Sequence, residues 1–281
     1  MYATIEARGD DCRSFLQGQL TQDLGTVSDA HCPLAGWCTP EGRVLATFRL
    51  LPGDDGGYDL VMPAEHVDEV VAGLSRYRLR ARVSLAAGSA DWRSLALANA
   101  ADLELLAARE LLPEARRDAA VRRDGMTAVC LDAGRRVVEL YGPAAALERA
   151  RLSFCAPLSD GDWRAARIQA GIVDVIPVTS GRYTPHMLNL DRIGAVSFSK
   201  GCYTGQEIVA RTEYRGSVKR RAARFRASAP TAVAEEVRLD GTAVGRVVAT
   251  GGRELLAVLP TELHGSVLQA GDARLEPAEP G

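Results

Sequence analysis

The sequence predicts an α+β protein that ends in a small all-β domain, either a barrel or a sandwich. Up to about residue 215, pairs of β-rich runs joined by turn residues alternate with amphipathic stretches, which favours antiparallel sheets over a doubly wound parallel sheet. From Gly216 onward the chain consists of short strand-like runs with a turn at Asp240 and Gly241. The composition, 47% hydrophobic and 25% charged, is typical of a soluble globular protein.

The N-terminal third predicts a helix, a hairpin and a second helix. The first helix follows the acidic pair "DD" at residues 10 and 11, and the residues at helical spacing are Phe15, Leu16, Gln19 and Leu20. In the hairpin, "GRVLATFRLL" and "YDLVM" are the strands, and "PGDDGG" is the turn between them. The second helix begins near Pro63, and its recurring apolar residues are Val67, Val70, Val71 and Leu74.

The middle of the chain repeats this alternation. The strand "RSLALAN" precedes the helix "ADLELLAARELL", and the hairpin "MTAVCLDAGRRVVELYG" precedes the helix "PAAALERARL". "DGDWRAARIQAG" predicts one more helix, with Trp163 and Ile168 available for burial and Gly171 as its C-terminal stop. We therefore expect an α+β domain over residues 1–215 and a β domain over 216–281, with a frayed tail "EPAEPG".

The chain also predicts a cytoplasmic protein with free thiols. No apolar run reaches the roughly 18 residues that span a bilayer, and "MYATIEARGDDC" lacks the basic and apolar segments of a secretory signal. In a reducing compartment the six cysteines should be unpaired. They are Cys12, Cys32, Cys38, Cys130, Cys155 and Cys202. A metal site at Cys32 and Cys38 is an alternative, but core or surface thiols are favoured.

The stretch "SKGCYTGQEIVAR", from Ser199 to Arg211, raises the possibility of a working thiol. Thr204 and Glu207 have the spacing of a capping box at a helix start, and Lys200 places a cation two residues from Cys202. A helix N-terminus and a cation both favour the thiolate of Cys202. The alternative is a small buried cysteine at a tight turn, and these residues alone favour that structural interpretation.

A thiol hydrolase would need a general base near Cys202. The candidates are His31, His66, His186 and His264. None has a local signature that links it to the cysteine, and His186 in "YTPHMLNLD" is nearest in sequence. A surface or structural histidine is the favoured interpretation.

A basic run follows, with seven cations against the single acid Glu213. The cations are Arg211, Arg215, Lys219, Arg220, Arg221, Arg224 and Arg226. Such a run can hold a polyanion, such as a glutamate tail or an RNA backbone. It is also typical of a solvated edge strand, which we favour because no aromatic residues are interleaved for base stacking.

Aromatic residues make up only 5% of the chain. Trp163 lies near the start of its predicted helix, and Tyr2 lies at the start of the first strand. Either ring can stack on a flat heterocycle, although a tryptophan on an amphipathic helix is more often a core residue.

The string "KGCYTGQEIVAR" followed by "YRG" and "KRR" closely resembles the signature of YgfZ-type folate-binding proteins. These belong to the superfamily of the glycine cleavage aminomethyltransferase, or T-protein. The resemblance spans nearly the whole chain, since three earlier segments also match. These segments are "ARGDDCRSFLQGQLTQDL", "CTPEGRVLATFRL" and "RIQAGI" with "TPHMLNLD".

The resemblance implies an aminomethyltransferase-like fold of α+β subdomains around a folate cavity, with a C-terminal β-barrel. It implies tetrahydrofolate or a one-carbon derivative as cofactor, and iron–sulfur enzymes or their assembly factors as transient partners, with an effect on tRNA modification. Cys202 and Lys200 match the signature cysteine and lysine, the candidates for chemistry. Trp163 matches an aromatic position associated with folate, and Tyr2 stands where some relatives have tryptophan.

Two positions depart from the wider pattern. His186 stands where glutamine is usual. The stretch "GRVLAT", residues 42–47, has no counterpart of the catalytic aspartate of true aminomethyltransferases, so their proton-handling group is missing. The leading hypothesis is therefore a folate-binding accessory protein of iron–sulfur metabolism. The alternatives are a folate-dependent one-carbon transferase, a thiol hydrolase and an RNA-binding module, although direct binding of nucleic acid is not favoured.

Overall fold

The computed structural model describes residues 2–53, 55–89, 91–134, 136–151 and 156–278. Cys155 and the last three residues of the tail lie outside these ranges. The chain divides into two compact units, one of Met1–Ala35 with Phe48–Ser159 and one of Gly36–Thr47 with Asp160–Gly281. Whether residues 216–281 form a separate domain stays a prediction. No helix within the described ranges is long and apolar enough to cross a membrane.

The first half of the first unit confirms the predicted helix, hairpin and second helix. Its elements are β1 (Tyr2–Arg8), α1 (Cys12–Gln19), β2 (Leu34–Cys38), β3 (Val44–Pro52), β4 (Tyr58–Pro63), α2 (Val67–Ser75) and β5 (Ser84–Ala87). The strands form a five-stranded sheet in the order β2-β3-β4-β1-β5. The antiparallel pairing of β3 with β4 is the predicted hairpin. The ends of β2 and β3 that flank the turn at residues 39–43 belong to the second unit.

The rest of the first unit is a second antiparallel sheet with two helices. Its elements are β6 (Trp92–Leu97), α3 (Ala100–Ala108), β7 (Ala120–Arg123), β8 (Met126–Cys130), β9 (Val138–Pro143) and α4 (Ala144–Arg151). The strand order is β6-β9-β8-β7. The apolar faces of sheet and helices form one buried cluster that includes Leu97, Leu106, Leu140 and Leu147. The apolar face of the sheet and the apolar faces of the helices must each be shielded from water, so their packing against each other stabilises this part of the unit.

A buried ion-pair network joins the two sheets of the first unit. Arg49 of β3 is 1% exposed and forms ion pairs with Asp118 and, at 3.4 Å, with Glu139 of β9. The Tyr141 hydroxyl donates a hydrogen bond of 2.6 Å to the same Glu139 carboxylate. Since a buried charge is costly unless it is paired, these contacts fix the position of β3 against β9.

The described part of the second unit contains two α-helices and a six-stranded closed barrel. Its elements are α5 (Asp160–Gln169), α6 (Gln206–Arg215), β10 (Arg220–Ala227), β11 (Glu236–Leu239), β12 (Thr242–Gly251), β13 (Glu254–Pro260), β14 (Leu268–Ala270) and β15 (Ala273–Pro277). The strands follow the order β10-β13-β12-β11-β14-β15, so the predicted β domain is a barrel and not a sandwich. Asp240 and Gly241 both have positive φ, 49° and 80°, as a tight hairpin turn between β11 and β12 requires.

The interpretation of the basic run as a solvated edge strand is wrong. The strand β10, which carries most of the run, pairs with β13 on one side and β15 on the other. Closing the barrel removes the edges of the sheet, so β10 needs no charged protection against pairing. Two of its cations instead form ion pairs, Arg221 with Asp191 at 2.8 Å and Arg224 with Glu254 at 3.8 Å.

Candidate functional site

Lys200 and Cys202 lie in a segment without regular secondary structure that precedes α6. Residues 170–205 form turns and extended links, and no helix or strand occurs between α5 and α6. Lys200 is only 8% exposed, and its ammonium nitrogen lies 5.1 Å from the ring centroid of Tyr203. An ammonium over an aromatic face is attracted by the ring quadrupole, and the interaction is stronger when both groups are buried. The contact fixes the backbone on both sides of Cys202.

The hydroxyl group of Tyr203 is buried and has no hydrogen-bond partner among the described residues. Burial raises the pKa of Tyr203 above its ordinary value, so the phenol stays protonated and can donate. An unsatisfied buried hydroxyl costs about 1–3 kcal/mol. A ligand with a hydrogen-bond acceptor would therefore gain affinity by pairing with it.

Cys202 is the exposed thiol among the described cysteines, and the others are buried. Burial raises the pKa of Cys12 to about 11 and the pKa values of Cys32 and Cys38 to about 12. Those three thiols are neutral near pH 7, and a neutral thiol is a poor nucleophile and metal ligand. The favoured interpretation of Cys32 and Cys38 as core thiols agrees with this burial.

The capping-box prediction at the start of α6 is wrong. The N-cap of α6 is Gly205, with φ of 84°, and not Thr204. Glu207 forms an ion pair with Arg211 at 2.8 Å, along the surface of the helix. Glycine occupies this position because a Cβ would lie 2.4 Å from the carbonyl oxygen of Thr39, and because φ is positive. The N-terminus of α6 thus lies directly against the turn at residues 39–43.

That turn is part of "CTPEGRVLATFRL", so the structure brings two of the matching segments together. The Gly42 amide donates to the Thr39 carbonyl at 2.9 Å, and the Thr39 amide donates to the Arg43 carbonyl at 2.8 Å. Further along, the Thr47 hydroxyl donates to the Val173 carbonyl at 3.1 Å and accepts from the Val175 amide at 3.0 Å. Residues 42–47 contain no carboxylate, and the hydroxyl at position 47 is used to fix the backbone.

The segment "TPHMLNLD" connects α6 with the barrel. His186 is 1% exposed, and its Nε2 lies 3.1 Å from a carboxylate oxygen of Glu213 in α6. Arg221 of β10 donates to the His186 carbonyl at 3.0 Å and to both carboxylate oxygens of Asp191, at 3.0 and 2.8 Å. His186 therefore has a structural role. Cys202 forms no hydrogen bond with any described residue, so the structure contains no cysteine–histidine pair there.

The same residues form a cluster with metal-ligand chemistry. One ligand atom each from His186, Asp191 and Glu213 lies within 4.8 Å of the others. The guanidinium of Arg221 binds both oxygens of Asp191, so its positive charge already occupies the position of a cation there. We interpret the cluster as an ion-pair network.

The two predicted folate-stacking residues lie in different units. Trp163 is in α5, is 5% exposed, and belongs to the same unit as Lys200 and Cys202. The helix α5 packs against the barrel so closely that a Cβ on Gly251 would lie 2.4 Å from the Ala165 nitrogen. Tyr2 is in β1 of the first unit, partly buried against a cluster around Leu51 and Tyr141. The burial of Trp163 is typical of a core tryptophan, and the stacking roles of Trp163 and Tyr2 stay predictions.

Comparison with curated proteins gives the family. No model of a known protein family matches the chain. The tRNA-modifying protein YgfZ of Edwardsiella ictaluri (strain 93-146) is 32% identical over 95% of this chain and 85% of that protein. The protein of the same name from Klebsiella pneumoniae (strain 342) is 30% identical over 78% of this chain and 67% of that protein. The chain belongs to the YgfZ family.

Solved structures give the fold of this YgfZ-family chain. The glycine cleavage system aminomethyltransferase T from Bartonella henselae superposes with a TM-score of 0.71 over 99% of this chain and 83% of that chain. The sequence identity is 16%, so the likeness concerns the fold alone. It confirms the predicted aminomethyltransferase-like arrangement of helices, antiparallel sheets and C-terminal β-barrel.

Sequence reasoning missed Tyr203 and a group of arginines that surround a cleft in the second unit. Tyr203 lies inside the signature string, but nothing in its spacing indicated a buried hydroxyl without a partner. The arginines come from four separate segments of the chain, so no local pattern could have grouped them. Only the folded chain shows either feature.

Proposed function

We propose that this YgfZ-family protein binds tetrahydrofolate or a one-carbon derivative and serves the assembly or maintenance of iron–sulfur enzymes, affecting tRNA modification through them. The name of its relatives, tRNA-modifying protein, supports the last part. The likeness of its fold to an aminomethyltransferase supports the first. The observation that carries the proposal is the exposed thiol of Cys202, whose sequence neighbours Lys200 and Tyr203 are buried and in contact with each other.

The residues around Cys202 suit a folate. A folate is a flat, polar heterocycle joined to an anionic tail, and it carries one-carbon units when bound. The ammonium of Lys200 and the buried hydroxyl of Tyr203 are donors for its polar atoms, and the Trp163 ring is an aromatic surface in the same unit. In this proposal these three side chains, all in the second unit, hold the ligand. The stacking role of Tyr2, which lies in the first unit, stays a separate prediction.

Cys202 is the candidate functional thiol. Its exposure allows reaction with a one-carbon fragment or contact with a client protein. Lys200 and the N-terminus of α6 place positive charge on either side of it along the chain. One cysteine cannot hold a stable iron–sulfur cluster, which needs about four ligands. Its contact with iron–sulfur clients is therefore transient in this proposal.

The alternative of a folate-dependent one-carbon transferase is less well supported. Aminomethyl transfer needs a group that handles protons, and residues 42–47 contain no carboxylate. The Thr47 hydroxyl at the end of that stretch is bound to the backbone at Val173 and Val175. Direct binding of nucleic acid is not proposed either, because the cations of the basic run include Arg211, Arg221 and Arg224, which form ion pairs. We propose a cytoplasmic location and no membrane partner.

Complementation tests the role of the thiol. Cells that lack this protein are supplied with the wild type, with Cys202→Ser or with Ser199→Ala, and the activity of an iron–sulfur enzyme that modifies tRNA is measured. Cys202→Ser should fail to restore it at equal protein abundance. Ser199, an exposed neighbour in the same segment, is the matched control and should restore it fully. Full restoration by Cys202→Ser would show that the thiol is structural.

A further inference from the structure

A cleft in the second unit is lined by four arginines. It has a volume of about 360 Å³ and lies between the barrel and the turn segments beside it. The charged and polar side chains on its wall are Arg43, Arg182, Tyr183, Arg220, Glu236 and Arg246. A volume of this size is within the range of small-molecule sites.

The positive charge of the cleft is largely uncompensated. Arg43, Arg182 and Arg220 form no ion pair with any carboxylate in the described part of the chain. The single acid of the wall, Glu236, lies 3.7 Å from Arg246 and also binds Arg238 at 2.5 Å. Its one negative charge is thus shared by two arginines. Like charges held together repel each other, so a bound anion would stabilise the cleft.

Backbone carbonyls hold three of the guanidinium groups in place. Arg43 donates to the Arg182 carbonyl at 3.1 Å, Arg220 to the Val244 carbonyl at 2.6 Å, and Arg246 to the Ala234 carbonyl at 3.0 Å. Each bond fixes the position of a guanidinium without neutralising its charge. Preorganised guanidinium groups are well suited to binding carboxylates and phosphates through paired hydrogen bonds.

Three of the arginine charges act on the same side chain of the cleft, Tyr183. Burial raises the pKa of Tyr183, and the charges of Arg182, Arg246 and Arg220 act in the opposite direction. Three guanidinium groups from three segments of the chain are therefore close enough to influence one phenol. A ligand beside Tyr183 would meet the same three charges.

We propose that this cleft is a binding site for a small anion with two or more negative groups, either carboxylates or phosphates. The proposal does not depend on folate binding. The limited volume favours a small molecule over a nucleic-acid backbone, whose phosphates need an extended surface. Neither Cys202 nor Lys200 lines the cleft.

Calorimetric titration of the full chain with inorganic pyrophosphate and with tri-γ-glutamate tests the proposal. At least one probe should bind saturably at one site, and the tighter probe identifies phosphate or carboxylate as the preferred group. Arg182→Gln should weaken that binding about ten-fold or more. Its side chain is exposed and makes no hydrogen bond to a described residue, so the variant should fold. Arg43→Gln should weaken binding of the same probe by a similar factor.

Arg226→Gln is the matched control, because it removes the same charge from an exposed position on β10 outside the cleft. It should bind within about two-fold of the wild type. The proposal is overturned if neither probe saturates, or if Arg226→Gln weakens binding as much as Arg182→Gln. It is also overturned if tRNA binds in an Arg182-dependent manner while neither small anion does.

Discussion

The ammonium nitrogen of Lys200 lies 5.1 Å from the ring centroid of Tyr203, and both side chains are buried, whereas Cys202, between them in the sequence, is exposed. The two parts of the Tyr203 side chain therefore differ in their surroundings. The ring packs against the lysine, and the hydroxyl has no hydrogen-bond partner among the described residues. This buried hydroxyl is the group that we propose donates to a ligand.

Two substitutions of Tyr203 should separate the contribution of the ring to stability from that of the hydroxyl. Tyr203→Phe keeps the ring and removes an unsatisfied hydroxyl, so the free energy of unfolding should be unchanged or up to about 1 kcal/mol higher. Tyr203→Leu removes the cation–π contact and packing area, so the free energy of unfolding should fall by about 1–3 kcal/mol. Urea denaturation of the ligand-free protein measures both. If Tyr203→Phe is as destabilising as Tyr203→Leu, the hydroxyl has an intramolecular partner.

The reactivity of the thiols should follow their burial. In native protein at pH 8, iodoacetamide should label Cys202 well before Cys12, Cys32 and Cys38, whose pKa values burial raises to about 11, 12 and 12. Peptide mass spectrometry over a time course gives the individual rates. In about 6 M guanidinium chloride the rates should converge, because unfolding removes the burial. Equal native labelling of Cys38 and Cys202 would contradict the burial of Cys38.

The glycine at the start of α6 should not tolerate a side chain. Gly205→Ala places a Cβ 2.4 Å from the Thr39 carbonyl oxygen in a residue with φ of 84°, and should lower the free energy of unfolding by about 2–4 kcal/mol. Gly201→Ala is the control in the same segment, since its Cβ would have no atom within 4 Å. That variant should stay within about 0.5 kcal/mol of the wild type. If the two variants were equally stable, the Thr39 carbonyl could not lie against Gly205 as the structure has it.

The ion pair between Arg221 and Asp191 should be important for stability. Their side chains are 10% and 9% exposed, so Arg221→Met leaves a largely buried carboxylate without its partner. Loss of one member of such a pair costs about 3–5 kcal/mol. Arg226→Met, on the exposed side of the same strand, should change the free energy of unfolding by about 0.5 kcal/mol or less. A cost below about 1 kcal/mol for Arg221→Met would mean that the pair is solvated.

Hydropathy periodicity and turn residues were sufficient to predict most local elements, because these depend on neighbouring residues. Phe15 and Leu16 indicated α1, the turn "PGDDGG" indicated the hairpin of β3 and β4, and Asp240 with Gly241 indicated the hairpin of β11 and β12. Closure of the barrel depends on pairing between β10 and β15, which are distant in sequence. The edge-strand interpretation of the basic run failed for that reason.

The site was predictable only in part. The signature string located Cys202 and Lys200, but the capping box at Thr204 was wrong, since the N-cap is Gly205, which packs against the Thr39 carbonyl with positive φ. That contact joins segments more than 160 residues apart. The partnerless hydroxyl of Tyr203 and the arginine cleft also depend on tertiary packing, and no spacing in the sequence encodes them.

The most direct test is an anaerobic calorimetric titration of the full chain with tetrahydrofolate. The wild type and Cys202→Ser should bind one equivalent with similar affinity, because the thiol is proposed for chemistry and not for holding the ligand. Trp163→Ala should bind about ten-fold or more weakly, and Trp163→Phe, which keeps an aromatic ring, should lose less. Thermal unfolding of each variant checks that it is folded. Absence of saturable binding by the wild type, or wild-type affinity in folded Trp163→Ala, would contradict the account.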